Sequence, residues 1–317
     1  MKKLSYIIAA AMLSLHGSLQ AQDVNADLSE WSVVTSGDLM MVNDIQGLSY
    51  VGGNVTVPNS FNVATGSGSI PKTTVSLAVV GNINNGGNLQ VNGGSVVAGG
   101  TIQRTVNMNS GGTSTANDPA GLPASPIATI TSASQFWSTM TANSTTFKNA
   151  GGQLVFNCAA GANVAVFDIT AQQMFNGGFQ GFVLAPTNTT GTVLINIAGS
   201  VADWTTGNFA SEFNTTAWNS KVLFNFFDAT NVTLSGLIGG YVVAPNANVT
   251  VGNNIDGGVM AKNLTVDSEI DLPGGTTSPT AWTGTLPNLS PVPEPSTWAL
   301  IVTGVLVVGS RLRRFSH

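Results

Sequence analysis

Histidine and cysteine are almost missing from this 317-residue chain, which has two histidines, His16 and His317, near its ends and one cysteine, Cys158. A body without histidine lacks a part that Ser-His-Asp and Cys-His mechanisms, histidine general bases and histidine-ligated zinc or iron all require. One cysteine allows neither an intramolecular disulfide nor a thiolate cluster, so Cys158, placed after the apolar run LVFN, reads as a buried small hydrophobe. Charge is scarce as well. Asp, Glu, Lys and Arg make up 8% of the residues, against about 25% in an ordinary globular domain. Between Gln22 and Ser290 five basic residues stand against fourteen acidic ones, a balance of −9. Such a surface repels a phosphate backbone and excludes nucleic acid as a partner.

What fills the gap is neutral. With 43% hydrophobic residues, 37 glycines and 31 asparagines, the exterior has to be covered by Asn, Thr, Ser and Gly. That composition argues against a charged disordered tail, a coiled coil or a cytosolic enzyme.

The two ends read as addresses. Residues 1–21 begin with Lys2 and Lys3, continue through an apolar stretch from Tyr6 to Leu15 and close on small and polar residues ending at Ala21. This is the three-part grammar of a secretory signal peptide cleaved after Ala21 by signal peptidase. At the other end Pro293-Glu294-Pro295 precedes an uncharged stretch from Ser296 to Ser310 and the cluster Arg311, Arg313, Arg314. The stretch spans about 22 Å as a helix, short of the roughly 30 Å hydrocarbon core. The arginines would hold the extreme end in the cytoplasm and leave everything before Pro293 outside. Triplet, apolar segment and arginine cluster together resemble a PEP-CTERM sorting signal. The resemblance implies export in a Gram-negative bacterium that makes extracellular polysaccharide, a transient membrane anchor through the C-terminal segment, and cleavage by an exosortase near the triplet.

From Gly37 to Asp271 short apolar, β-branched runs alternate with Gly and Asn, which predicts strands. YVGGNVTV (50–57), AVVGNINNGG (78–87) and SVVAGGTIQ (95–103) share a shape, and YVVAPNANVTV (241–251) is echoed by GVMAKNLTV (258–266), with Ala244 and Ala261 seventeen residues apart. A period of 17 to 19 residues matches one coil of a β-solenoid, with Val243 and Ala244 stacked over Met260 and Ala261. The alternative is a β-sandwich whose hairpins are evenly spaced. One segment, 132–149, fits a helix, with Ser132 and Gln135 as a capping box and Phe136, Met140 and Phe147 on one face.

GDLMMVNDIQGLSYVGGNVTV (37–57), NVAVFDIT (163–170), TVLINIAG (192–199) and the late GYVVAPNANVTV and GGVMAKNL resemble the choice-of-anchor A domain of bacterial surface proteins. That resemblance implies a right-handed β-helix flanked by a helix, an adhesin-like role and no catalytic residues.

Candidate chemistry is thin. Asp267, Glu269 and Asp271 alternate, which on a strand puts three carboxylates on one face and suggests a calcium site or a charged coil that discourages edge stacking. Asp228, Asp256 and Asp267 are the carboxylates a polysaccharide-cutting β-helix enzyme would use, although their spacing specifies no cleft. Ice binding would call for a threonine column at coil period. Thr56, Thr250 and Thr265 occupy matching places, but no row is evident. Trp31, Trp137, Trp204, Trp218 and Trp282 show no common period and serve either packing or sugar stacking.

The expectation is therefore a signal peptide (1–21), a β-helix domain (22–271), a Pro/Gly/Thr linker (272–291) and a sorting segment (292–317). No cofactor and no catalysis are expected. The protein reads as an exported adhesin-like or matrix component binding polysaccharide or cell surfaces, the alternatives being a carbohydrate-active enzyme and an ice-binding protein.

Overall fold

The computed structural model describes residues 23–66, 70–205, 207–274 and 281–289, and the packed unit runs Asp23–Pro287. The expected signal peptide with Ala21, and the expected C-terminal helix with Pro293, Glu294, Pro295, Arg311, Arg313 and Arg314, lie outside the described residues. The body is mainly β. Nineteen strands form one nearly closed sheet, an arrangement compatible with a β-helix or a barrel.

Strand pairing is parallel throughout this sheet and sorts into three ladders. The first contains the runs without polar alternation. Ser95–Ala98 and Val222–Asn225 are buried at every position because both of their faces are covered, which is why they read as continuous apolar stretches. The expected stacking is present, with Val243 paired to Met260 and Ala244 to Ala261. Earlier on the same pair of strands Gly240 lies on Gly257, where a Cβ added to Gly257 would sit 1.9 Å from the Gly240 carbonyl oxygen, so glycine is needed at Gly257.

Chain order and stacking order differ. Trp31–Thr35 pairs on one side with Leu48–Val51 and on the other with Ile255–Val266. The chain thus enters the stack in its middle and proceeds through Val75–Val79 and Ser95–Ala98 to Ser114–Thr115 at one end. It resumes at the opposite end with Val164–Thr170 and returns through Thr192–Ala198, Val222–Asn225 and Ile238–Val251 to Ile255–Val266. A second, four-stranded sheet (Thr145–Lys148, Leu154–Asn157, Gly181–Ala185, Asn208–Ser211) adds Leu154, Phe156, Phe182 and Phe209 to the same interior.

The outward side of the first ladder is covered too. Val34, Tyr50, Ala78, Val243 and Met260 form a second core with Val24 and Leu28 of helix α1 (Val24–Glu30) and Ile130, Ala133 and Trp137 of helix α2 (Ile127–Trp137). Helix α2 corrects the expected boundaries. It starts after Pro126 without a side-chain cap, places Ser132 and Gln135 in its interior, and ends at Trp137. The reason lies in its partner surface. The buried stripe Thr129, Ile130, Ala133, Trp137 begins ahead of the expected one, and buried amides tie the helix end to the sheet, with Asn196 Nδ2 donating to the Trp137 carbonyl at 2.9 Å and Asn225 Nδ2 to that of Ser134 at 2.9 Å. Beyond it the β-branched Thr145 and Thr146 begin an exposed strand that carries Phe147.

Residues 282–286, inside the stretch expected to be a linker, are packed. Trp282 and Leu286 are buried in the second core, Trp282 meets Tyr241 edge-on at 5.2 Å, and Asn25 Nδ2 donates to the Leu286 carbonyl at 2.9 Å while its Oδ1 accepts from the Leu286 N–H at 2.8 Å. No described helix is long and apolar enough to cross a membrane.

Leu264 stacks on Leu39 on one side and on Val249 on the other, where the early and late halves of the chain meet. Leu264→Ala should cost about 2–5 kcal/mol through lost burial and a residual cavity, whereas Met40→Ala, on the exposed side of the next rung, should stay within about 0.5 kcal/mol. Urea denaturation of both variants checks this; equal costs would mean that the joint contributes no core.

Candidate functional site

The second ladder differs from the first in having one face open. Its strands alternate strictly, as in Leu39–Met41, where Leu39 and Met41 are buried and Met40 is exposed. Outward positions align into columns. Thr233 pairs with Thr250, Thr250 with Thr265, Thr265 with Met40 and Met40 with Thr56. Neighbouring rungs stand about 4.8 Å apart. The column continues at one end to Asn84, whose Nδ2 donates to Thr56 Oγ1 at 2.9 Å, and at the other to Asp203, which pairs with Thr233. A row of threonines is therefore present where the sequence suggested only isolated ones; what interrupts it is Met40.

Beside it runs a column of carboxamides. Thr101 N donates to Asn82 Oδ1 at 2.8 Å, Asn82 N to Asn54 Oδ1 at 2.9 Å and Asn54 N to Asp38 Oδ1 at 2.7 Å. Asp38 N then donates to Asn263 Oδ1 at 2.8 Å, and Asn263 Nδ2 to Asn248 Oδ1 at 2.8 Å. These bonds pass from the early half of the chain to the late half without a break. Each of these side chains is bonded to the rung next to it, which orders the face, and its repeating groups are hydroxyls and amides with Asp38, Met40 and Asp203 among them.

The acidic row is arranged differently from expectation. Only Ile270–Asp271 is a strand, and Asp267 and Ser268 form a bend, so Asp267 does not share a strand face with the other two. Asp271 instead pairs with Asp256 of the preceding rung, and Asn254 Nδ2 donates to Asp271 Oδ2 at 3.1 Å. Burial, with the charges of Glu269, Asp256 and Asp44 behind it, pushes Asp271 up to about 6, and burial raises Asp256. Among the described residues no three His, Cys, Asp or Glu side chains are grouped so as to hold a metal ion.

The carboxylates named for hydrolysis lie apart in the fold. Asp256 stands in the third ladder, Asp267 follows the second, and Asp228 Oδ1 accepts the Gly199 N–H at 2.8 Å in a turn. Cys158 is buried, and that burial lifts its thiol to about 11. Trp31, Trp137, Trp204 and Trp282 are all buried, so four of the five body tryptophans pack rather than display a ring. Trp218 is partly buried with Lys221 Nζ 5.8 Å from its ring centre.

Two comparisons with known families give matches. The model described as Putative Ice-binding-like adhesive domain matches residues 24–272, and that of the PEP-CTERM protein-sorting motif matches residues 291–314. No curated protein and no solved structure matches the chain.

Two carboxyls make stability depend on pH. Asp271 and Asp27 both lie near 6 when folded, against 3.8 ordinarily, chiefly because they are buried. The folded state therefore holds protons that the unfolded chain releases. The stability they contribute is fully present below the ordinary value and is lost as pH rises through the folded one. Tm should be higher near pH 5 than near pH 7.5, and Asp271→Asn should raise Tm near pH 7.5 and shrink the difference. Scanning calorimetry at both pH values checks it; a wild-type Tm that falls on acidification would contradict the assignment.

Proposed function

Since the chain belongs to the Putative Ice-binding-like adhesive domain family and ends in a PEP-CTERM protein-sorting motif that implies processing by exosortase, we propose that it is an adhesin-like protein of the cell surface or extracellular matrix that binds through the open face of its second ladder and turns nothing over. The domain and the sorting signal support an exported surface protein. In this reading the three ladders are the sides of a right-handed β-helix of the choice-of-anchor A type, and the partner is extracellular polysaccharide or another cell.

The observation that carries the reading is the pair of outward columns on the eight rungs of the second ladder, one of threonines interrupted by Met40 and ending at Asp203 and Asn84, the other of asparagines with Asp38 among them. Similar weak contacts repeated about every 4.8 Å suit a repetitive ligand. Attachment then scales with the number of contacts engaged together.

Beads coated with the protein should hold polysaccharide or cells far better than one soluble copy, without release of reducing ends. Thr250→Lys with Thr265→Lys, which breaks the face with long charged side chains, should cut attachment at least tenfold. Steady product formation abolished by Asp228→Asn or Asp256→Asn would instead place a carbohydrate-active enzyme first. The threonine column also favours a second reading, ice, and thermal hysteresis lost in the same double variant, with no attachment to glycans or cells, would select it.

The sorting reading has its own check. Protein recovered from the native host's surface or medium should lack Trp298–His317, and intact C-terminal peptides there by mass spectrometry would overturn exosortase processing.

A further inference from the structure

A cleft of ≈ 310 Å³ opens at the end of the stack between the exposed strand Thr145–Lys148 and the last rung of the first ladder, Val164–Thr170, and none of its lining residues belongs to the threonine column. Its cause is a divergence of two strands. Asn143 and Ser144 donate their N–H groups to the Val166 carbonyl, both at 3.1 Å, and Asn143 Oδ1 accepts the Val166 N–H at 2.9 Å. From Thr145 onward the chain leaves this edge and pairs antiparallel with Leu154–Asn157. Alternate residues of a parallel strand aim their main-chain groups to the same side. The Asp168 N–H and C=O, two positions past Val166, therefore face the opening with no strand beside them.

Side chains of four kinds line it. Phe147 stands 50% exposed, the most exposed aromatic ring among the described large hydrophobics. Asp168 is held from behind, its Oδ1 accepting from Asn196 Nδ2 at 3.1 Å, and Asn196 is in turn bonded to Asn225 and to the end of helix α2. This leaves Asp168 Oδ2 for an incoming donor. Gln173 spends Oε1 on the N–H and hydroxyl of Thr170, each at 3.0 Å, which leaves its Nε2 hydrogens for a ligand. Lys148 is placed with its Nζ 5.6 Å from the Phe179 ring centre.

We propose that this cleft is a binding site for a single neutral pyranose of a glycan, with Phe147 stacking on the C–H face of the ring and Asp168 and Gln173 bonding its hydroxyls. The volume lies at the small end for ligand pockets and suits one or two rings. An apolar ring surface beside a fixed acceptor and a fixed donor pair matches a sugar, which has C–H groups on its faces and hydroxyls at its edge. One carboxylate and one ammonium give no net charge, which disfavours uronates and phosphates. Along Val164–Thr170 only Asp168 leaves its main-chain groups open, too few for a peptide added as a strand there, and Thr145–Lys148, the edge of the second sheet, is four residues long. The site is separate from the threonine face, so either can fail alone.

The test is saturation-transfer NMR of the full-length exported chain with the methyl glycosides of glucose, galactose, mannose and N-acetylglucosamine. At least one should bind. Phe147→Ala should weaken it at least tenfold and Asp168→Asn at least fivefold, with Phe147→Tyr retaining most binding and Tm unchanged in all three. Thr250→Lys with Thr265→Lys should leave it intact, which separates this result from failure of the adhesive reading. No binding by any of the four, binding that survives Phe147→Ala, or displacement of the sugar by an extended peptide would overturn the proposal.

Discussion

The parallel pairing of Trp31–Thr35 with Ile255–Val266 is the contact on which the other features rest. Val33 meets Val259 and Thr35 meets Ala261, and the same junction is repeated in the other two ladders, Leu39 on Leu264 and Ile45 on Ile270. Without it there would be two short stacks, each with a bare edge of unpaired N–H and C=O groups, the usual route to aggregation. With it there is one interior. The joint also gives the threonine and asparagine columns their length, since Met40 and Asp38 come from one half and Thr265 and Asn263 from the other.

Each ladder is used differently because its outer side meets a different neighbour. The first is buried twice, under helices α1 and α2 and under the segment that carries Trp282 and Leu286. It therefore gives up any surface role and serves as the wall of two cores. The second is left open, and most of its outward positions are threonine or asparagine, with Met40, Asp38 and Asp203 among them. Carboxylates gather on the third, where Asp256 and Asp271 sit on adjoining rungs. A like-charged pair in register weakens a rung, and part of the answer here is that Asp271 retains its proton to higher pH than usual.

Sequence pattern reached some of this and stopped for physical reasons. The offset of seventeen between VVA and VMA was legible because those two rungs are consecutive in the chain and in space. The threonine row was not, because Thr265 touches Met40 and Met40 touches Thr56, so a period search along the chain meets them out of order. Helix α2 was found but misplaced: capping signals at Ser132 and Gln135 are local, whereas its buried stripe and the bonds from Asn196 and Asn225 to its end come from distant rungs. Trp282 and Leu286 sit among Gly, Thr and Pro, a composition that suggested a spacer, and only tertiary contact with Tyr241 and Asn25 reveals them as part of the body. Asp168 stood in a quoted motif, NVAVFDIT, without any sign of the cleft, which exists because two strands diverge after Ser144.

An entry point in the middle of the stack bears on the timing of assembly. The residues made first, Trp31–Thr35, can gain Leu48–Val51 almost at once, a partner fewer than twenty positions away. Their other edge has to wait for Ile255–Val266, near the end of the domain. Such a long-range closure is slow. A chain emerging from a translocation pore N-terminus first would expose that edge until almost all of the domain has passed through. The last rungs then act as a latch, and the columns reach full length only when the domain has fully emerged.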